Sequence, residues 1–313
     1  MRIVFMGTAP LARVCLEALA STSEHEIVGV VTQPDKPQGR ELRLRPSPVK
    51  ERALSLGLPV LQPLKARDPG FVQSLKELHP DLIAVAAYGQ ILPQAILDIP
   101  RHGCLNVHAS ILPRYRGAAP IQRAILDDES LTGVTIMKMD AGLDTGAILA
   151  TEFTPITDED NAETLGTRLA GTGAALLVKT IPDYANGRIQ PRPQPAEGAT
   201  YAAKIGKEEE IIQWGDPARR VLCQIRAFSP RPGAHTRASV HGQSRLLKIW
   251  RARAVPESAG VPGTVLQSGK EGLVVACGQG ALRIEELQIE GGKRLPTRDF
   301  LAGHPLAVGS QLE

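Results

Sequence analysis

Aromatic residues are scarce, and this limits how the core is built. Phe, Trp and Tyr make up 4% of the 313 residues, while hydrophobic residues as a whole reach 42%. Burial must therefore come from Leu, Ile, Val and Ala. Cysteine is equally sparse: Cys15, Cys104, Cys223 and Cys277 are scattered, with no CxxC spacing. Neither a zinc site nor a disulfide framework is expected, and no metal is called for. No window approaches the roughly 18 apolar residues of a membrane span. The opening residues MRIVFMGTAP are too short and too soon interrupted for a signal peptide. These absences predict a soluble cytoplasmic protein with reduced thiols and no membrane partner. Two nucleotide fingerprints are missing as well. MGTAPLA follows the first apolar run and opens a helix, but Gly7 is its only glycine, so a tight strand-to-helix turn is favoured over dinucleotide binding. There is no GxxxxGK[ST] to bind ATP.

Acidic residues are missing from one long stretch. Residues 217–256 hold nine basic side chains and no acidic one. Residues 1–205 are balanced, with 21 Lys and Arg against 22 Asp and Glu; residues 206–313 carry 15 against 11. Two readings stand: a solvated surface that happens to be basic, or a face for a polyanion.

The length suits two domains. RIVFMG, EIVGVVTQ, DLIAVAAY and GCLNVHAS are apolar runs of strand length, and PLARVCLEALAS, SPVKERALSLG and AAPIQRAILDD alternate with them at helical spacing. Ser47 and Pro48 predict the start of the second helix. This alternation predicts an α/β, doubly wound, mainly parallel sheet. GVTIMKMD and GAILATEFTPI are joined only by AGLDTG, which predicts a hairpin and a mixed sheet edge. Residues 160–187 predict one long helix. RIQPRPQPAEGAT is Pro-rich and aperiodic, and residues 189–205 are taken as a linker. A short helix at DPARRVLCQIRAF and β-type runs with Gly turns follow, which predict a small barrel over 206–313.

One strand carries polar residues where a strand covered on both faces would be apolar. Asn106 and His108 alternate in GCLNVHAS, so their side chains share a face near the strand's C-terminal end. Ligands of open α/β sheets bind at that end. A histidine there is often only a satisfied core residue, but an asparagine beside it is costly to bury without partners. Asp144 lies in MDAGLDTG between Gly142 and Gly146. A loop aspartate is most often a turn former; one that reaches His108 would orient the ring and stabilise its protonated form. An amide that donates to an oxyanion completes a set suited to attack of an amine on a carbonyl. Ser110 lacks the glycine elbow of a nucleophile, and Cys104 falls on the Asn/His face, where packing is an alternative role.

NVHASILPRYRGAAPIQ, with DAGLDTG downstream, resembles the formyltransferases that use 10-formyltetrahydrofolate, and the likeness spans essentially the whole chain. The resemblance implies a Rossmann-like catalytic domain over 1–188 and a C-terminal OB-like β-barrel over 206–313 that binds tRNA. It implies Asn106, His108 and Asp144 as the catalytic set. Ser110, Ile111, Leu112 and Pro113, with the backbone of Ala87, Tyr88 and Gly89, would line the folate site. Arg116 and Gly117 would shape the turn toward the acceptor. The formyl donor would be 10-formyltetrahydrofolate, and the acceptor methionine on the acceptor stem of initiator methionyl-tRNA, for translation initiation. A basic loop after the second strand would touch that tRNA through Lys36, Arg40, Arg43 and Arg45; Arg219, Arg220, Arg251 and Arg253 would add charge from the barrel. A monomer is expected. The chain departs from the family pattern at GTAPLA, where Leu11 replaces an aromatic, at SILP in place of SLLP, and in RELRLR, where relatives are richer in Gly and Lys. Sugar-nucleotide formyltransferases and formyltetrahydrofolate hydrolase domains share the Asn, His and Asp pattern, and the basic insert argues against them. A decayed enzyme domain serving as an RNA-binding module is opposed by the complete Asn, His and Asp set, and a nicotinamide dehydrogenase by the missing glycine pattern.

Overall fold

Apolar runs alternating with amphipathic segments force strands into the interior and helices onto their faces. The computed structural model describes residues 1–38, 43–256 and 260–313. They form two compact units: Met1–Pro120, Leu131–Pro155 and Gly166–Ala203 make the first, and Ile121–Ser130, Ile156–Leu165 and Lys204–Glu313 the second. In chain order the elements to residue 202 are β1 (Arg2–Gly7), α1 (Pro10–Ala20), β2 (Glu26–Val31), β3 (Lys36–Gln38), β4 (Arg43–Arg45), α2 (Pro48–Ser55), β5 (Val60–Leu61), α3 (Pro69–Glu77), β6 (Leu82–Ala86), α4 (Gln94–Leu97), β7 (Cys104–His108), β8 (Arg116–Gly117), α5 (Pro120–Leu126), β9 (Leu131–Lys138), β10 (Ala147–Pro155), α6 (Ala162–Ala185) and β11 (Tyr201–Ala202).

The first unit is built on a seven-stranded sheet of order β10-β9-β7-β6-β1-β2-β5. The five strands from β7 to β5 are parallel; β9 runs antiparallel to both β7 and β10, the mixed edge the short AGLDTG connection requires. From β1 the chain winds outward through β2 and β5, then returns to place β6 on the other side of β1. That reversal opens a crevice at the carboxyl ends of β1 and β6. Gly7 pairs with Ala86 and Ala86 with Val107, so β1, β6 and β7 end level with one another. β6 is wholly buried, as a strand covered on both faces demands. Ser47 caps α2 by accepting from Lys50 N at 3.0 Å.

Gly7 explains why MGTAPLA holds its single glycine. A Cβ there would stand 2.5 Å from the Cβ of Ala12 and 2.9 Å from the carbonyl oxygen of Ala86. The glycine is a steric requirement of close packing between β1, α1 and β6.

In the second unit, α7 (Ala218–Phe228) precedes β12 (His235–Val240), β13 (Gln243–Val255), β14 (Val265–Gly269), β15 (Gly272–Ala276), β16 (Ala281–Ile289), β17 (Leu295–Pro296) and α8 (Thr297–Gly303). The antiparallel order is β12-β13-β16-β15-β14, with β17 on β16. Residues near 311 join the two edge strands: Leu312 bridges to Ala238, and Gln311 to Thr264 beside β14. The sheet thus curls shut, which removes its open edges. Arg219 donates from Nε and Nη2 to the two carboxylate oxygens of Asp128 at 2.7 and 2.6 Å, and from Nη1 to Asp158 at 2.7 Å. Arg226, nearly buried, donates to the carbonyls of Asp160 and Thr157.

Two predictions follow from this packing. Gly7→Ala is expected to lower stability by about 1–3 kcal/mol through overpacking, seen as a lower urea midpoint at unchanged slope. The Arg219 guanidinium holds the Asp128 carboxyl below the usual carboxylate range. A depressed pKa contributes stability that is present above the unfolded value, about 3.9, and is lost as pH falls through the folded value. Asp128 has φ +56°, a conformation asparagine also tolerates. Asp128→Asn should therefore destabilise at pH 7 and approach wild-type stability as pH falls below 3, measured by urea unfolding across that range.

Candidate active site

The site lies where β1, β6 and β7 end. His108 closes β7 and is buried; its Nε2 lies 2.9 Å from the carbonyl oxygen of Tyr115. A carbonyl only accepts, so Nε2 carries the hydrogen and the neutral ring's lone pair sits on Nδ1. Asp144 Oδ2 stands 3.7 Å from that Nδ1. The same oxygen accepts from Gly117 N at 2.8 Å, which fixes the carboxylate. A proton arriving at Nδ1 would therefore meet a carboxylate on one side, with the far nitrogen already bonded to a carbonyl. Asn106, two residues before His108, is half-buried. Its carboxamide has no hydrogen-bond partner among the described residues and remains available to donate.

The loop that carries Asp144 is tightly wound. Asp140 Oδ1 accepts from Gly142 N at 3.0 Å and from Thr145 Oγ1 at 2.7 Å. A Cβ on Gly142 would fall 1.9 Å from Thr145 Oγ1, and one on Gly146 would fall 1.9 Å from the carbonyl oxygen of Lys138. Asp144 itself adopts φ +52°. The spacing of DAGLDTG thus reflects sterics on both sides of the aspartate.

The turn after β7 consumes its own polar groups. Ser110 is fully buried and donates to the carbonyl of Arg114 at 2.6 Å. Thr135 Oγ1 donates to Ser110 O and accepts from Leu112 N. Leu112 is buried, while Ile111 and Pro113 are half-buried. After β6, Ala87 is exposed with φ +41°, and Gly89 has φ +81°. The carbonyl of Tyr88 accepts from Thr8 Oγ1 at 3.0 Å and Gln33 Nε2 at 2.8 Å, tying together the ends of β1, β2 and β6. The Tyr88 side chain is buried among core residues, and burial pushes its phenol up to about 12. Cys104 is buried too, its thiol pushed up to about 12 by burial. That fits packing rather than reactivity.

Of the basic loop, Lys36 and Arg45 stand directly opposite in the β3–β4 hairpin, beside the Arg43 and Gln38 pair. Like charges facing across strands repel, which polyanion binding would relieve. Lys36 donates to Gln33, and Asp35 accepts from Lys50 and Gln62 at the hairpin base. Arg40 lies outside the described residues. In the second unit, Arg219 is held by Asp128 and Asp158, and Arg220 donates to the carbonyl of Leu126. Arg251 and Arg253 share Glu285, both at 2.8 Å, with about two-thirds of each arginine side chain exposed.

One site residue escaped the sequence reading. Gln194, within the Pro-rich stretch, donates to the carbonyls of Asp144 and Gly146 and accepts from Arg116. No periodicity or motif marks it.

Residues 1–181 match the formyl transferase family model, and residues 204–305 match the model of the formyl transferase C-terminal domain. The methionyl-tRNA formyltransferase of Thiobacillus denitrificans is 50% identical over 314 aligned residues, covering 100% of this chain and 99% of the relative. That of Chromobacterium violaceum is 48% identical, with 100% and 99% covered. Among solved structures, an N-formyltransferase from Helicobacter canadensis, complexed with folinic acid and dTDP-3-aminofucose, aligns with TM-score 0.63 at 18% identity, covering 94% of this chain and 99% of that one. HypX from Aquifex aeolicus, complexed with tetrahydrofolic acid, gives TM-score 0.63 at 19% identity over 96% of this chain and 47% of its own. These two share the fold. The long match to the family model, and relatives half identical from end to end, establish that this chain belongs to the formyl transferase family.

Proposed function

We propose that this protein transfers the formyl group of 10-formyltetrahydrofolate to the α-amino group of methionine on initiator methionyl-tRNA. The reaction class is carried by one observation: Asp144 faces His108 at the end of β7, a strand whose alternation sets Asn106 on the same face as His108. The acceptor is carried by the name that relatives of about half identity share. Asn106 donates to the formyl oxygen as negative charge develops on it. His108 takes the proton that the attacking amine sheds and returns it to the folate N10 as the formyl C–N10 bond breaks, so that tetrahydrofolate leaves neutral at that nitrogen. Asp144 holds the ring and stabilises its charged form. The exposed backbone at Ala87 and Gly89 and the segment Ser110 to Pro113 border the donor site. Ser110 supports that site by shaping the turn, because its hydroxyl is already bonded to Arg114.

Residues 1–188 supply the catalytic groups, 189–205 pack back on the first unit as far as Ala203 before leading onward, and 206–313 make up most of the unit that binds tRNA. The protein works as a monomer in the cytoplasm. Lys36, Arg40, Arg43 and Arg45 meet phosphates of the acceptor arm. Arg251 and Arg253 extend the contact, because their exposed guanidinium groups can exchange Glu285 for phosphate. Arg219 and Arg220 take part chiefly by bracing the second unit.

The deciding assay offers the donor with charged initiator tRNA, charged elongator methionine tRNA and free methionine. Formylation confined to the initiator is expected; loss of formyl without transfer to any tRNA would refute the acceptor. Asn106→Ala should lower kcat by about 10²–10³, and near-normal turnover would remove the amide from the mechanism. Arg251→Ala with Arg253→Ala should weaken tRNA binding and reduce its salt slope by about 1–2, while donor binding is spared. An unchanged slope, measured by filter binding at several salt concentrations, would exclude these two phosphate contacts.

A further inference from the structure

The carboxamide of Gln194 makes four contacts. Its Nε2 donates to the carbonyl oxygens of Asp144 and Gly146, each at 2.8 Å. Its Oε1 accepts from Arg116 Nε at 3.1 Å and Nη2 at 2.7 Å. Two N–H donors and two lone pairs are all that a carboxamide has, so its capacity is filled. The two accepting carbonyls flank Thr145, directly after the aspartate that faces His108. Asp144 is not a glycine, yet it adopts φ +52°. Such a conformation is uncommon for a residue with a side chain and persists where its surroundings over-determine it.

The contacts close a ring. From Arg116 the path runs through Gln194 to the backbone of Asp144, then along its side chain to Oδ2. That oxygen accepts from Gly117 N, next to Arg116. The stretch carrying Gln194 is anchored on both sides. Arg192 exchanges backbone hydrogen bonds with Ile148, at 2.8 and 2.9 Å. Thr200 accepts from Arg116 N at 2.9 Å through its carbonyl and from Tyr115 N at 2.8 Å through Oγ1. Tyr115 supplies the carbonyl that holds His108 Nε2. A segment without helix or strand periodicity thus touches both partners of the imidazole.

We propose that Gln194 is a positioning residue for catalysis: it fixes the backbone of Asp144 so that the carboxylate faces His108 Nδ1, and it orients Arg116 beside the same turn. This rests on the formyl-transfer reading given above. Gln194 touches no reacting atom; it acts through Asp144.

Two variants separate its halves. Gln194→Glu keeps an acceptor for Arg116 but removes both donors and sets a carboxylate against two carbonyls. Gln194→Leu removes both halves. Each is made in the full chain, alone and combined with Asp144→Asn, and thermal midpoints are recorded to confirm folding. Both single variants should lose roughly tenfold to a hundredfold in kcat, with KM for donor and charged tRNA changed less than about threefold. In the Asp144→Asn background either change should cost less than about twofold more, because the group it positions is already disabled. A Gln194→Glu variant with wild-type kcat, or losses that multiply fully in the double variant, would overturn the proposal. If the wild type formylates no charged tRNA, the functional reading fails instead, and the ring nitrogens of His108 still decide this one. Their NMR resonances, assigned by their loss in His108→Asn, should move in Gln194→Glu; unchanged resonances would overturn it.

Discussion

One carboxylate oxygen organises the first unit. Asp144 Oδ2 accepts from Gly117 N and faces His108 Nδ1, so it joins the loop after β9 to the turn after β7. That joint is not set by strand register alone. β9 runs antiparallel to β7, with Leu105 opposite Lys138 and His108 opposite Thr135, so the loop leaves β9 level with the start of β7 and must turn back to reach His108. It also requires glycine at 142 and 146, where a Cβ would strike Thr145 Oγ1 within the loop and the carbonyl oxygen of Lys138 at the end of β9. The parallel strands set the floor of the site, and the wound loop after β9 brings the aspartate to it.

The charge pattern along the chain gives a poor picture of charge in space. Residues 217–256 look purely basic because their counter-ions come from elsewhere. Asp128 and Asp158 reach Arg219, Glu285 reaches Arg251 and Arg253, and Glu290 reaches Arg245. A local run of one sign is therefore an upper bound on the exposed field. The β3–β4 hairpin is different, because there the like charges of Lys36 and Arg45 are paired with each other by register.

Elements set by local chemistry were legible. β1, β6 and β7 follow from apolar runs, α2 from Ser47 and Pro48, and the β9–β10 hairpin from a connection too short for a crossover. Asn106 and His108 were legible because strand alternation alone puts them on one face. β5 has two residues, Val60 and Leu61, and is defined only by pairing with Val30 and Val31. α3 had its signals in Asp68 and Pro69, yet its apolar positions Phe71 and Leu75 are too few to stand out. Gln194 was illegible for a deeper reason: its meaning lies in carbonyls some 50 residues earlier in the chain, and an amide in a proline-rich stretch carries no local sign of them.

The second unit has a further consequence for modular evolution. It gathers residues 121–130 and 156–165 along with 204–313. A recombination event that joined the contiguous C-terminal stretch to a preceding sequence without these carboxylates would strip Arg219 of Asp128 and Asp158, and Arg226 would depend on the new segment placing its backbone carbonyls where Asp160 and Thr157 hold theirs. A nearly buried guanidinium without its acceptors is a severe defect. The β-barrel thus depends on two short pieces of the preceding sequence, and the structural module is discontinuous along the chain.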